Sequence, residues 1–173
     1  MRLRHALIAA AAFALGGCAS PNSSLGDRFE LEPADISELR AAQPVALRNG
    51  YTYASTHVVN QYVTLDEREF TDSAITMLSR ALEKQGIRLA PDAKKSVTLR
   101  VRMDRHVLRM PHVFAPQYYA TITLEATLGD GTKLEENAQE MSPGGWGRAT
   151  DAASLLALKY LVKNEKFVAY LKD

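Results

Sequence analysis

The chain has 173 residues, with 21 Lys and Arg against 20 Asp and Glu. That length supports one domain with a real core and is short for two. The even charge balance argues against a nucleic-acid binder working through a basic stripe, and a single cysteine excludes an internal disulfide framework.

Residues 1–17 have the three parts of an export signal. Arg2, Arg4 and His5 form a positive start, Ala6 to Leu15 run apolar, and Gly16 and Gly17 are small. A bilayer span needs roughly 20 apolar residues, more than this run supplies, so a cleaved signal is expected. Leu15-Gly16-Gly17-Cys18, followed by Ala19 and Ser20, resembles the lipobox of bacterial lipoproteins. The resemblance implies that the Cys18 thiol takes a diacylglycerol, that cleavage falls between Gly17 and Cys18, and that the new amine receives a fatty acyl chain such as palmitate. Three acyl chains exceed what stable anchoring requires. Ala19, standing where an Asp retains such proteins at the inner membrane, implies the outer membrane and a periplasm-facing domain. Without Arg2 and Arg4, 19 basic residues face 20 acidic ones.

From residue 18 to 44 the chain is poor in bulky apolar residues and holds Pro21, Asn22, Ser23, Ser24 and Gly26, the composition of a tether. Pro33, ahead of Asp35-Ile36-Ser37-Glu38-Leu39-Arg40, is placed to start a short helix within it. The folded domain is expected over 45–173. Val45 and Leu47 open a strand, and a second runs from about Thr56 to Val63, with Tyr51 to Ser55 unassigned. Thr64 and Glu67 have the spacing of a capping box for a helix whose Phe70, Ala74, Leu78 and Ala81 share one face, with Gly86-Ile87 as its C-terminal cap.

Val97, Leu99, Val101 and Met103 alternate with polar neighbours, as do Ala120, Ile122, Leu124 and Ala126; each set predicts a strand with one buried face. Asp130-Gly131 predicts a tight hairpin into a more polar strand from Thr132 to about Gln139. A last helix is expected from Thr150 or Asp151 through Val162, with Lys163-Asn164-Glu165-Lys166 able to interrupt it before Phe167, Val168, Tyr170 and Leu171. Two helices over one apolar sheet face give an α+β, two-layer sandwich with an antiparallel sheet.

The connection from His106 to Gln117 carries Val107, Leu108, Met110, Val113 and Phe114 alongside two prolines. Apolar residues in a long loop mark a contact surface for a protein or the membrane interface, unless the loop folds back on the core or the strand extends through Val107. His57, His106 and His112 lack metal-ligand spacing and a neighbouring carboxylate cluster, so ordinary histidines are expected and no metal. Gly144-Gly145-Trp146-Gly147-Arg148 lacks the Lys-Ser/Thr ending of a phosphate loop; a turn with Trp146 plugging one end of the core is expected. The polar sheet face presents Arg100, Arg102, Thr121, Thr123 and Glu125. With no nucleophile beside a base, no paired carboxylates and no cofactor fingerprint, a non-enzymatic role is expected.

The order of lipobox, tether, strand, helix ending in Glu83-Lys84-Gln85-Gly86-Ile87, antiparallel hairpin and C-terminal helix resembles the YajG-type lipoproteins over roughly Val45 to Leu171. It is similar also to the lipoprotein that plugs the lipopolysaccharide-assembly barrel and to auxiliary lipoproteins of lipid-transport ABC systems. These likenesses imply an accessory envelope module with a protein partner. The competing expectation is a small-ligand carrier that holds a lipid or peptidoglycan fragment between helices and sheet, which requires a cavity there.

Overall fold

A computed structural model describes residues 29–111 and 115–173. Residues 1–17, where a signal is expected, Cys18 and the loop residues His112, Val113 and Phe114 lie outside the described residues. The elements in chain order are α1 (Pro33–Ile36), β1 (Val45–Asn49), β2 (Thr56–Asn60), β3 (Val63–Asp66), α2 (Glu67–Lys84), β4 (Lys95–Arg109), β5 (Gln117–Leu128), β6 (Lys133–Ser142), α3 (Trp146–Leu161) and α4 (Glu165–Lys172). The main sheet has the order β1-β4-β5-β6, and β2-β3 form a separate hairpin.

The fold is α+β, with helices packed against the four-stranded sheet. One detail departs from the expected antiparallel sheet: β1 joins β4 in parallel, with Val45 opposite Lys95 and Asn49 opposite Leu99. A parallel pair needs a long crossover, and the β2-β3 hairpin with α2 supplies it. α2 packs on β4 and β1, α3 packs on β5 and β6, and the two helices touch each other. Phe70, Leu78, Leu82, Leu99, Ile122, Leu124 and Leu158 are fully buried in one cluster between the layers.

Part of the 18–44 segment belongs to the folded domain. Leu31, Ile36 and Leu39 are buried in the same cluster, and Asp35 of α1 accepts an ion pair from Lys163 at 2.7 Å and another from Lys159 at 3.3 Å. Three well-spaced apolar residues in a polar stretch are enough to pull the segment down onto the core.

Both helix starts differ from expectation. Thr64 lies in β3, paired with Val58, and the cap of α2 is Asp66, whose Oδ1 accepts from Arg68 N at 2.9 Å and from Ser55 N at 3.0 Å. β3 therefore runs straight into the helix. Asp66→Ala should cost about 1–2 kcal/mol, the usual value of an N-cap, read from a urea titration; no change would deny Asp66 the capping role. α3 starts at Trp146, after Gly145 at φ 110°, so Thr150 and Asp151 are interior and buried. The Thr150 hydroxyl donates back to the Trp146 carbonyl at 3.0 Å instead of capping. The break between α3 and α4 falls at the polar run, where the Asn164 side chain accepts from Lys166 N at 3.1 Å.

Candidate functional site

The feature that shapes the far end of the sheet is a bulge in β4. Up to Met103 the odd-numbered residues Val97, Leu99, Val101 and Met103 face the helices, opposite Leu128, Ala126, Leu124 and Ile122. The register then skips Asp104, so that Arg105 pairs with Thr121 and His106 with Ala120. One extra residue reverses which side chains point inward. Beyond the bulge His106 and Leu108 share the helix face, while Arg105, Val107 and Arg109 share the open face with Thr121, Tyr119 and Gln117. The bulge is pinned by its own side chain: Asp104 accepts from the buried Thr123 hydroxyl at 2.7 Å and pairs with Arg102 at 3.1 Å.

This arrangement revises the expected 106–117 loop. β4 extends to Arg109 and β5 begins at Gln117, so His106, Val107 and Leu108 are strand residues, paired with Ala120, Tyr119 and Tyr118. Val107 is half-buried, whereas Leu108 and Met110 are exposed, at 46% and 55%. Met141 of β6, opposite Tyr119, adds a third solvent-facing apolar side chain at this end. Alternation through Val107 was the available signal in the sequence; the bulge that changes its phase was not.

On the helix face, His106 sits among aromatic rings. Its ring centroid is 5.1 Å from that of His57 on β2 and 5.6 Å from Trp146, which stands edge-on to it; Trp146 meets Tyr118 edge-on at 4.8 Å. Trp146 therefore plugs this end of the core. His106 Nε2 lies 3.1 Å from Thr150 Oγ1. Because that hydroxyl already gives its proton to the Trp146 carbonyl, Nε2 must be the protonated nitrogen and donate. Nδ1 is buried with no hydrogen-bond partner. Burial, and secondarily the charge of His57, push the His106 pKa down to about 4. Among the described residues no group of three or more His, Cys, Asp or Glu is placed to hold a metal ion.

A second polar cluster joins α2 to the sheet. β1 ends opposite Leu99, leaving the edge of β4 without a strand partner beyond it. The Thr71 hydroxyl accepts from Val101 N at 2.8 Å and Glu67 Oε1 accepts from Met103 N at 2.8 Å. The other Glu67 oxygen accepts from the hydroxyls of Tyr51 at 2.9 Å and Ser55 at 2.7 Å. Burial first, and then Glu67, hold the Tyr51 hydroxyl well above its ordinary pKa. This carboxylate finishes the sheet and holds the 51–55 segment, which the sequence left unassigned.

The open face of the sheet is mixed before the bulge and basic beyond it. Arg102 pairs with Asp104 and with Glu125 at 3.2 Å, and Arg100 donates to the Gly50 carbonyl while lying over the Tyr51 ring. Beyond the bulge, Arg105, Val107, Arg109, Tyr119, Thr121 and Gln139 border a depression of about 300 Å³. Between the layers, Leu78, Ile122 and Leu158 pack in the same fully buried cluster. Among the described residues no helix is long and apolar enough to cross a membrane. No protein-family model matches the chain, and none of the curated proteins matches it.

Proposed function

We propose that this chain is an outer-membrane-anchored, periplasm-facing lipoprotein whose α+β domain acts as a non-enzymatic interaction module for another envelope protein. The likeness of Leu15-Gly16-Gly17-Cys18 to a lipobox supports the anchor. The observation that carries the interaction role is the apolar surface at the far end of the sheet, where Leu108 and Met110 leave large side chains in solvent. Buried polar groups elsewhere serve the fold: Glu67 and Thr71 complete a strand edge, and Ser73 donates to the buried Asp151 at 3.1 Å, tying α2 to α3. Leu78, Ile122 and Leu158, between which a carrier would hold its ligand, are buried together in one cluster.

Two experiments test the reading. Cys18→Ser should abolish acylation and leave an unprocessed precursor, seen by mass spectrometry and fractionation; a variant still cut after Gly17 and still membrane-bound would refute the anchor. A photo-crosslinking residue at position 108 or 110 should yield one discrete envelope-protein adduct in cells, and the same residue at Tyr160, exposed on α3, should not. Identical adduct patterns from all three positions, or no adduct, would refute the contact surface.

A further inference from the structure

Beyond the Asp104 bulge, the open face of the sheet carries cations without counter-charges. Arg105 and Arg109 are exposed, and among the described residues neither forms an ion pair with a carboxylate. Arg100 and Arg102, on the near side, are both engaged. The asymmetry follows from the carboxylates: Asp104 and Glu125 lie at or before the bulge, and none of the residues bordering the far depression is acidic.

We propose that this depression binds a saccharide bearing carboxylate or phosphate groups. The guanidinium fork matches either oxyanion in a charge-assisted, two-pronged contact. Arg105 and Arg109 are four strand positions apart, roughly 13 Å along the backbone, so one ligand can be held from both ends. The Arg109 guanidinium already rests over the Tyr119 ring, 4.9 Å from its centroid, which limits the entropy lost when it closes on an anion. The Tyr119 hydroxyl is oriented by donating to Gln117 at 3.0 Å, and Thr121 and Gln139 approach each other at 3.4 Å. Hydroxyl and amide groups of this kind both donate and accept, as sugar hydroxyls demand. Val107 and the Tyr119 ring offer apolar surface to the C–H face of a pyranose. A volume of about 300 Å³ suits one or two sugar rings. An anionic bilayer would use the two cations but meet a recess that a planar surface does not fill. The site is separate from the Leu108 and Met110 surface and does not depend on its role.

The test is calorimetric titration of the full-length chain with three soluble probes, glucuronate–N-acetylglucosamine disaccharide, glucose 1,6-bisphosphate and neutral chitobiose, and with phosphatidylglycerol vesicles. At least one anionic probe should bind, and the stronger of the two identifies the oxyanion. Its affinity should weaken with added salt and fall about tenfold or more in R105Q/R109Q, as expected for loss of two charge-assisted contacts. It should be unchanged in K133Q, a control on the near half of the same face. Chitobiose should bind at least about tenfold more weakly, since it lacks the anion. Both arginines are exposed, so a thermal melt will show R105Q/R109Q folded as the parent. Binding by neither anion, equal binding by chitobiose, an unaffected R105Q/R109Q, or binding only to phosphatidylglycerol vesicles overturns the proposal.

Discussion

Glu67→Ala is expected to destabilise the protein by about 3 kcal/mol, because it strands a buried backbone donor and unties a loop in one step. Glu67 is 9% exposed, and its carboxylate accepts three hydrogen bonds, from Met103 N, the Tyr51 hydroxyl and the Ser55 hydroxyl. Alanine leaves Met103 N without its partner at a point where β1 has already ended, and an unsatisfied buried amide costs about 1–3 kcal/mol. The two hydroxyls lose their common acceptor at the same time. Glu67→Gln should be far milder, at about 1 kcal/mol: the amide oxygen keeps the Met103 bond, and the hydroxyls can rotate to accept from the amide nitrogen. Urea titrations of the two variants give the contrast. Amide exchange gives the location, since Glu67 N donates to the Ser55 carbonyl at 2.8 Å and faster exchange should spread from there through β2 and β3. Equal losses in the two variants would show that Glu67 acts through charge or packing and not through these three bonds.

Much of the fold could be read in the sequence because its signals are repeated. Strand β5 announces itself through Ala120, Ile122, Leu124 and Ala126, all buried as the alternation requires, and α2 through Phe70, Ala74, Leu78 and Ala81. What escaped were features decided by single side chains. The Thr64 and Glu67 spacing fits a capping box, yet Glu67 is turned toward β4 because that strand edge needs an acceptor, and Asp66 takes the cap. Thr150 and Asp151 have the composition of a helix start, yet α3 begins at Trp146, behind the left-handed Gly145. The bulge at Asp104 was invisible because its cause, a hydrogen bond from Thr123, joins residues far apart in sequence. The candidate site inherits these gaps. Leu108 and Met110 were legible as apolar residues in a connection, but their exposure depends on where β4 stops. The pairing of Arg105 with Thr121, and the meeting of His57 with His106, follow only from the shifted register and from the way the β2-β3 hairpin docks.

That docking makes the protein sensitive to mild acid. His106 is neutral in the folded state, with its pKa pushed down to about 4 by burial and by His57, against about 6.5 in an unfolded chain. Between these values the unfolded chain binds a proton that the folded chain does not, so stability rises with pH. The contribution is complete above about pH 6.5, shrinks as pH falls toward about 4, and is flat below that. A shift of this size corresponds to about 3 kcal/mol, and the ring's partial exposure reduces it to about 2. The ring faces His57 from β2, Trp146 and Thr150 from α3, and Ala120 across the ladder, and the groups that shift its pKa include no carboxylate. Protonation would also place a charge at Nδ1, which is buried without a partner. Asp35 behaves in the opposite sense and elsewhere on the scale. Its hydrogen bond from Lys163 lowers its pKa below 3.8, so the stability it adds is present above that value and is lost only in stronger acid. The decisive comparison is therefore the parent against His106→Gln, whose amide can still donate to Thr150 but does not titrate. From pH 7 to pH 4 the parent should lose about 2 kcal/mol more than the variant in urea titrations. Parallel losses across that range would mean that His106 is solvated in the folded protein and that the ring cluster does not exclude water.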